Sequence, residues 1–174
     1  MGNRPSAPTP SAFRAPVRVA AAALAAVLSL AGAAAEGFEL EGLDATRTRM
    51  SEHVGGGQWT LVQLWTTDCV PCEAQKPMLR EFDEQSDRAR VIGVALDGRA
   101  AIDEILQIVE RHGASYETLV AFEDVFAEQY EGLTGRAFRA TPTYLLYGPE
   151  GGFAGAHVGP ISREALEQVV AGAD

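Results

Sequence analysis

The clearest feature of the sequence is a pair of short, nearly continuous apolar runs separated by an amphipathic segment. The runs are 59–65 (WTLVQLW) and 91–96 (VIGVAL), each bounded by turn residues or charges. Such runs are typical of strands that are covered on both faces, as in a parallel sheet. The segment between them, from Pro71 to about Arg88, is polar but carries apolar residues at helical spacing. The pattern therefore predicts a β-α-β unit.

The next segment predicts a second helix, a strand and a third helix. From 102 onward, apolar residues recur at i, i+3, i+4 and i+7, which predicts an amphipathic helix that ends near Gly113. A short apolar run at 118–121 predicts a strand. Phe122, Phe126 and Tyr130 then lie at the spacing of one helical face. The alternation of helices and strands thus continues through this part of the chain.

The last segment predicts a hairpin and a final helix. Strands at 143–147 and 153–158 flank a turn rich in Gly and Pro, a pattern that favours an antiparallel hairpin. Ser162 is a good N-cap for the helix that follows. The whole order predicts one α/β domain with a central sheet and helices on both faces.

Composition and charge limit the classes of partner. The chain has 174 residues, of which 47% are apolar and 22% charged, enough to build one packed core. Its formal net charge is −10, from 24 acidic and 14 basic residues. Nucleic acid is therefore not expected as a partner, because phosphate binding requires clustered Lys and Arg.

The N-terminal segment has the pattern of an export signal. Arg14 and Arg18 precede the uncharged, Ala-rich run 19–35, which closes on an Ala-x-Ala cleavage pattern. The run has about 17 residues, whereas a membrane-spanning helix needs about 20 strongly apolar ones. We expect a signal peptide at 1–35 and a soluble, periplasmic domain at 36–174, where disulfides persist. An uncleaved membrane anchor is the alternative, and only that alternative would make the membrane a partner.

The two cysteines lie where a buried strand ends and a helix begins, as Cys69-Val70-Pro71-Cys72. A helix N-terminus lowers the pKa of a thiol, so Cys69 is the expected nucleophile, partly exposed. Cys72 is one turn further on the same face and is the expected resolving thiol. Pro71 is tolerated in the first turn, and with Asp68 it is expected to modulate the thiol pKa. A static disulfide and half of a metal site are the alternatives, although the chain has no second Cys-x-x-Cys.

The segment LWTTDCVPCEAQKP resembles the active-site segment of thioredoxin-fold proteins, in particular the exported TlpA/ResA-like branch. The matching positions are Trp65, Cys69, Cys72 and Pro77. The likeness extends over about residues 38–171, and it implies a thioredoxin-like three-layer sandwich. Such a fold has a central mixed β-sheet with helices on both faces and an N-terminal β-hairpin.

A second match is Thr141-Pro142, which resembles the family's cis-proline ahead of a core strand. The resemblance implies that Thr141 offers its backbone to an extended substrate, a form of β-strand addition. A plain strand-entry proline is the alternative reading of Pro142.

Two departures from the family pattern bear on the chemistry. Asp68 stands where the family usually has Trp, and a carboxylate beside Cys69 should raise the thiol pKa and make the protein more reducing. Gln63 and Gln75 stand where the family often has a buried acid. The usual proton acceptor for the second cysteine is thus missing, and Glu73, Asp68 or water are its possible substitutes.

Two other polar residues receive no chemical role from the sequence. Lys76 is the single lysine of the chain, and the preference for arginine over lysine is typical of codon bias. Asp97 ends a predicted strand, where a turn or helix-capping role is expected.

The resemblance implies a thiol–disulfide oxidoreductase without a cofactor or metal, acting as a reductase. Its expected partners are disulfide- or dithiol-containing proteins, for example in cytochrome or copper-site maturation, and an upstream thiol electron donor. An oxidase or isomerase role is the alternative within the same chemistry. A copper chaperone of SCO type is the alternative from another class. That family has three residues between its cysteines and a nearby His, whereas 136–143 contains no His. Peroxiredoxin chemistry is not expected, because the Pro that it needs ahead of its cysteine is missing.

Overall fold

The computed structural model describes residues 38–113 and 116–172. The expected signal peptide at 1–35 lies outside the described residues, so it and the domain boundary at 36 stay predictions. Within the described ranges, no helix is both long enough and apolar enough to cross a membrane.

Seven strands and four helices make up the described chain, and every strand and helix expected from the apolar pattern is present. Two single 3₁₀ turns, Met50–Glu52 and Arg99–Ala101, supplement them. In chain order the elements are β1 (Glu39–Gly42), β2 (Arg47–Arg49), β3 (Trp59–Trp65), α1 (Val70–Gln85), β4 (Ala89–Ala95), α2 (Ile102–His112), β5 (Glu117–Ala121), α3 (Glu123–Thr134), β6 (Thr143–Tyr147), β7 (Phe153–Val158) and α4 (Arg163–Ala171).

The first helix is shorter than the sequence predicted. It ends at Gln85 rather than near Arg88, and β4 begins at Ala89 instead of 91. Ser86 explains both shifts, because its backbone is extended and its hydroxyl accepts the backbone N–H of Ala89 at 3.0 Å. The expected cap of α4 is confirmed, since the Ser162 hydroxyl accepts the N–H of Ala165.

The strands form one mixed sheet in the order β2-β1-β5-β4-β3-β6-β7. The central strands β3, β4 and β5 are parallel, and the outer pairs are antiparallel. The predicted hairpin β6–β7 and the hairpin β1–β2 form the two edges. The thioredoxin-like fold and its mixed sheet are thereby confirmed.

Helices cover both faces of the sheet, because apolar side chains of β3 point alternately to one face and to the other. Val62 and Leu64 point to one face, where they pack in the cluster that contains residues of α3. Leu61 and Trp65 point to the other face, where α1, α2 and α4 pack. Because β3 is covered on both sides, its sequence is apolar almost throughout. The carboxyl end of β3 leads directly into the segment that carries the two cysteines.

Candidate active site

Cys69 is the N-cap of α1, the position usually filled by Ser, Thr, Asp or Asn. Its Sγ accepts a hydrogen bond from the backbone N–H of Cys72 at 3.2 Å. The same N–H and that of Glu73 also approach the carbonyl oxygen of Cys69. A thiolate at this position would receive a backbone donor and the positive end of the helix dipole. The geometry therefore favours the ionised form of Cys69.

The two cysteines are joined as a disulfide, with 5.2 Å between their Cα atoms. Cys69 is 7% exposed and Cys72 is 0% exposed. The expectation that Cys69 is partly exposed is therefore wrong for the disulfide form, because α2 and β3 pack around the pair. Cys69 is still the more accessible sulfur. Val70, 78% exposed, and the exposed Pro71 place apolar surface beside it.

A carboxylate that the sequence placed in a turn holds the loop before Cys69. Both oxygens of Asp97 accept the backbone N–H of Thr67, at 3.0 and 3.1 Å, and Oδ1 also accepts the Thr67 hydroxyl at 2.9 Å. The parallel pairing of β3 with β4, which continues as a bond from Leu96 N–H to Trp65 C=O, brings the two residues together. Asp97 is therefore a positioning residue.

Replacing Asp97 by Ala should slow disulfide exchange by about tenfold or more. Hydrogen bonds to a charged acceptor contribute about 1.5–3 kcal/mol, and about 1.4 kcal/mol corresponds to a factor of ten. The measurement is the rate of insulin disulfide reduction. Asp44→Ala is the matched control, because Asp44 accepts the Thr46 N–H at 2.9 Å in the β1–β2 turn. Equal rates for the two variants would contradict the positioning role.

Pro142 lies at the end of the sheet where β3 finishes and β6 begins. The antiparallel register pairs Leu64 with Thr143, so Pro142 lies next to the point where the cysteine segment leaves the sheet. The Thr141–Pro142 peptide bond is cis. Pro142 is buried, whereas Thr141 is half-buried and precedes the first residue of β6 by two positions.

The two glutamines at the positions of the family's buried acid form a neutral network. Gln63, 0% exposed, donates weakly to the Tyr144 hydroxyl and to the Cys72 carbonyl, both at 3.4 Å. The Tyr144 hydroxyl donates to Oε1 of Gln75 at 3.0 Å, and burial raises the pKa of this tyrosine to about 12. The network fixes the N-terminal part of α1 against β6 and supplies no base at neutral pH.

The acidic substitutes suggested by the sequence lie on the outside of this region. Glu73 contacts His112 at 3.1 Å and Arg111 at 3.2 Å. The hydrogen bond from His112, together with the charge of Arg111, holds the pKa of Glu73 below its usual range. Asp68 is exposed and accepts the Thr66 hydroxyl at 2.8 Å. A carboxylate whose pKa is lowered is a weak base, so Glu73 is poorly suited to accept a thiol proton.

Lys76, which receives no chemical role from the sequence, is a buried residue of α1. It is only 2% exposed, and its Nζ lies 3.6 Å from the centre of the Trp65 ring. Burial lowers the pKa of Lys76 to about 8, although the charge of Glu73 opposes this shift. The signal was available, because Lys76 follows Cys72 by four residues and so shares its helical face.

The described ranges contain no group of three or more His, Cys, Asp and Glu side chains able to hold a metal ion. The Cys-x-x-Cys pair at the N-terminus of a helix, on a mixed sheet of this order, defines a thioredoxin-like thiol–disulfide oxidoreductase. A family model described as the AhpC/TSA family matches residues 31–153, and the chain belongs to this family.

Relatives agree with this class. The thiol-disulfide oxidoreductase ResA of Halalkalibacterium halodurans is 24% identical over 141 residues, covering 81% of this chain and 76% of its own length. Among solved structures, a thioredoxin-family thiol:disulfide interchange protein from Chlorobium tepidum has a TM-score of 0.65 at 19% identity, covering 80% of this chain and 94% of that one. A secreted Mycobacterium tuberculosis disulfide oxidoreductase has a TM-score of 0.61 at 19% identity, with coverages of 78% and 96%. These structures share the fold.

Proposed function

We propose that this protein is an exported, periplasmic reductase of protein disulfides, in which Cys69 is the nucleophile and Cys72 the resolving thiol. The observation that carries the proposal is the hydrogen bond from the Cys72 N–H to Cys69 Sγ at the start of α1, where the two sulfurs are joined as a disulfide. It stabilises a thiolate at the more accessible sulfur. The exported address is supported by the pattern at 1–35 and by the secreted M. tuberculosis relative.

The reaction is a pair of thiol–disulfide exchanges. The Cys69 thiolate attacks one sulfur of a substrate disulfide, forming a mixed disulfide and releasing the other substrate sulfur as a thiolate. The Cys72 thiolate then attacks Cys69 Sγ, the Cys69–Cys72 bond forms, and the second substrate thiolate leaves. Two electrons pass to the substrate, whose two thiolates take up the protons of the two thiols. An upstream thiol donor restores the dithiol.

The substrate chain docks on Thr141 and Pro142 by this proposal. Both lie where the strand β6 begins, beside the end of β3, and Thr141 lies outside the ladder of hydrogen bonds of β6. Its backbone can therefore pair with an extended substrate segment that carries the disulfide. The exposed Val70 and Pro71, which follow Cys69 in the chain, offer that segment an apolar contact. Partners are disulfide-bonded proteins, such as those with cytochrome or copper-site cysteines.

The direction of electron flow is tested by the reduction potential of the Cys69–Cys72 pair. We expect a value near or below about −250 mV, close to that of thioredoxin, because Asp68 beside the thiolate favours the disulfide. Titration against a thiol buffer, followed by mass after alkylation, measures it. A value between about −120 and −180 mV would instead assign an oxidase or isomerase role. A chain with no reversible two-electron titration would not be an exchange enzyme, and a mass shift with Cu(I) would then support metal binding.

A further inference from the structure

Lys76 and Cys72 occupy the same buried face of α1. They are four residues apart, so one helical turn separates them, and their exposed fractions are 2% and 0%. The Cα–Cβ bonds of a helix tilt toward its N-terminus. The long side chain of Lys76 therefore runs from its own turn toward the turn that carries the cysteines. This direction places a cation on the cysteine side of its backbone.

Trp65 is the neighbour that Lys76 and the cysteines share. Its ring packs in one cluster with Cys69 and Cys72, and the Nζ of Lys76 lies 3.6 Å from the centre of that ring. An ammonium over an aromatic face keeps a favourable contact without a counter-ion. The ring thus holds a cation against the apolar cluster that contains the disulfide.

Neither of the positions that match the family's buried acid carries a carboxylate in this chain. Gln63 and Gln75 are neutral, and Glu73 is held by Arg111 and His112 of α2. The titratable and charged groups that face the space between α1, α2 and the sheet are the two thiols, Lys76, Arg80, Glu73, Asp83, Arg111, His112, Tyr116 and Tyr144. Of these, Lys76 is the cation that is buried and that shares a neighbour, Trp65, with the two cysteines.

We propose that Lys76 is the cation that stabilises the Cys72 thiolate during exchange. The inference rests on the proposed exchange reaction. The Cys72 thiol loses its proton to water, its thiolate attacks Cys69 Sγ, and the departing substrate thiolate takes up a proton. Lys76 keeps its own proton throughout and acts by charge. Its positive charge favours the reduced form that carries a Cys72 thiolate over the disulfide.

The single lysine of the chain allows a direct test on the wild-type protein. Isotope-labelled lysine gives one side-chain signal, whose titration can be followed by NMR in the disulfide and in the dithiol form. The titration of Lys76 in the disulfide form should be near pH 8. Since coupling between two sites is reciprocal, it should move up by about one pH unit in the dithiol form. Equal titration curves in the two redox states would overturn the proposal.

Two variants separate charge from packing. Lys76→Met retains an unbranched side chain but removes the charge. Because the charge is lost, the pKa of the Cys72 thiol should rise by about one unit. The equilibrium with a thiol buffer should shift about tenfold toward the disulfide. This shift lowers the reduction potential of the Cys69–Cys72 pair by about 30 mV, since two electrons are exchanged. Lys76→Arg keeps the charge and should remain within about twofold of wild type.

The outcomes distinguish this inference from the function on which it rests. A wild-type protein that does not titrate reversibly would contradict the exchange function itself. A wild-type protein that titrates, with Lys76→Met and Lys76→Arg shifted alike or both unchanged, would contradict only the role of Lys76. If either variant does not fold, the NMR comparison on the wild-type chain decides.

Discussion

Replacing Cys69 by Ser should reduce disulfide exchange by about three orders of magnitude or more, because a serine hydroxyl at neutral pH has almost no anionic form to attack a disulfide. The helix N-terminus that stabilises a thiolate at this position cannot compensate for a hydroxyl pKa far above that of a thiol. The rate of insulin disulfide reduction with a thiol donor measures the loss. The residual rate should equal that of the donor alone.

Cys72→Ser is the matched control, since it also abolishes the intramolecular disulfide but leaves the nucleophile in place. Cys69 should still attack the substrate, and the mixed disulfide should then accumulate because no second thiol releases it. Mass spectrometry under non-reducing conditions detects this adduct. The exposed fractions of the two residues, 7% for Cys69 and 0% for Cys72, favour Cys69 as the nucleophile and Cys72 as the resolving thiol. If the Cys69→Ser chain formed the adduct and the Cys72→Ser chain did not, the roles would be reversed.

The local sequence was sufficient to predict the fold and the cysteine pair. The strands β3 and β4 are apolar almost throughout because both of their faces are covered, and this pattern does not depend on any distant residue. The helix α1 has its apolar residues at helical spacing and a proline in its first turn. The position of Cys69 at the junction follows from these two elements alone.

The residues that support the site could not be predicted in this way, because their roles depend on contacts distant in the sequence. Asp97 meets Thr67 only through the parallel register of β3 and β4. Gln63 and Gln75 meet Tyr144 only because β6 lies beside β3. Residue type gave no indication that Lys76 is buried, since lysine is ordinarily solvated on a helix.

The Trp65 side chain is where the stability of the core and the chemistry of the site meet. Trp65 is the last residue of β3 and is 0% exposed. Its side chain packs against α2 and the two cysteines, and Lys76 lies against its ring. Its Nε1 lies close to the backbone of Gly93, where a side chain at that position would approach it to 3.2 Å. The absence of a side chain at Gly93 thus leaves room for the indole.

Trp65→Ala should lower the free energy of unfolding by about 3–5 kcal/mol, the cost of removing a large aromatic side chain from a packed interior. That is a large part of the about 5–15 kcal/mol that stabilises a typical domain. Trp59→Ala is the matched control, because Trp59 begins the same strand but is only half-buried, and about 1–2 kcal/mol is expected there. Urea denaturation of the oxidised proteins, followed by circular dichroism, measures both losses. Since the Trp65 cavity would also leave the Lys76 ammonium without its aromatic contact, the remaining fold should release that side chain toward water. Equal losses for the two variants would show that the cluster around the disulfide relaxes to fill the space.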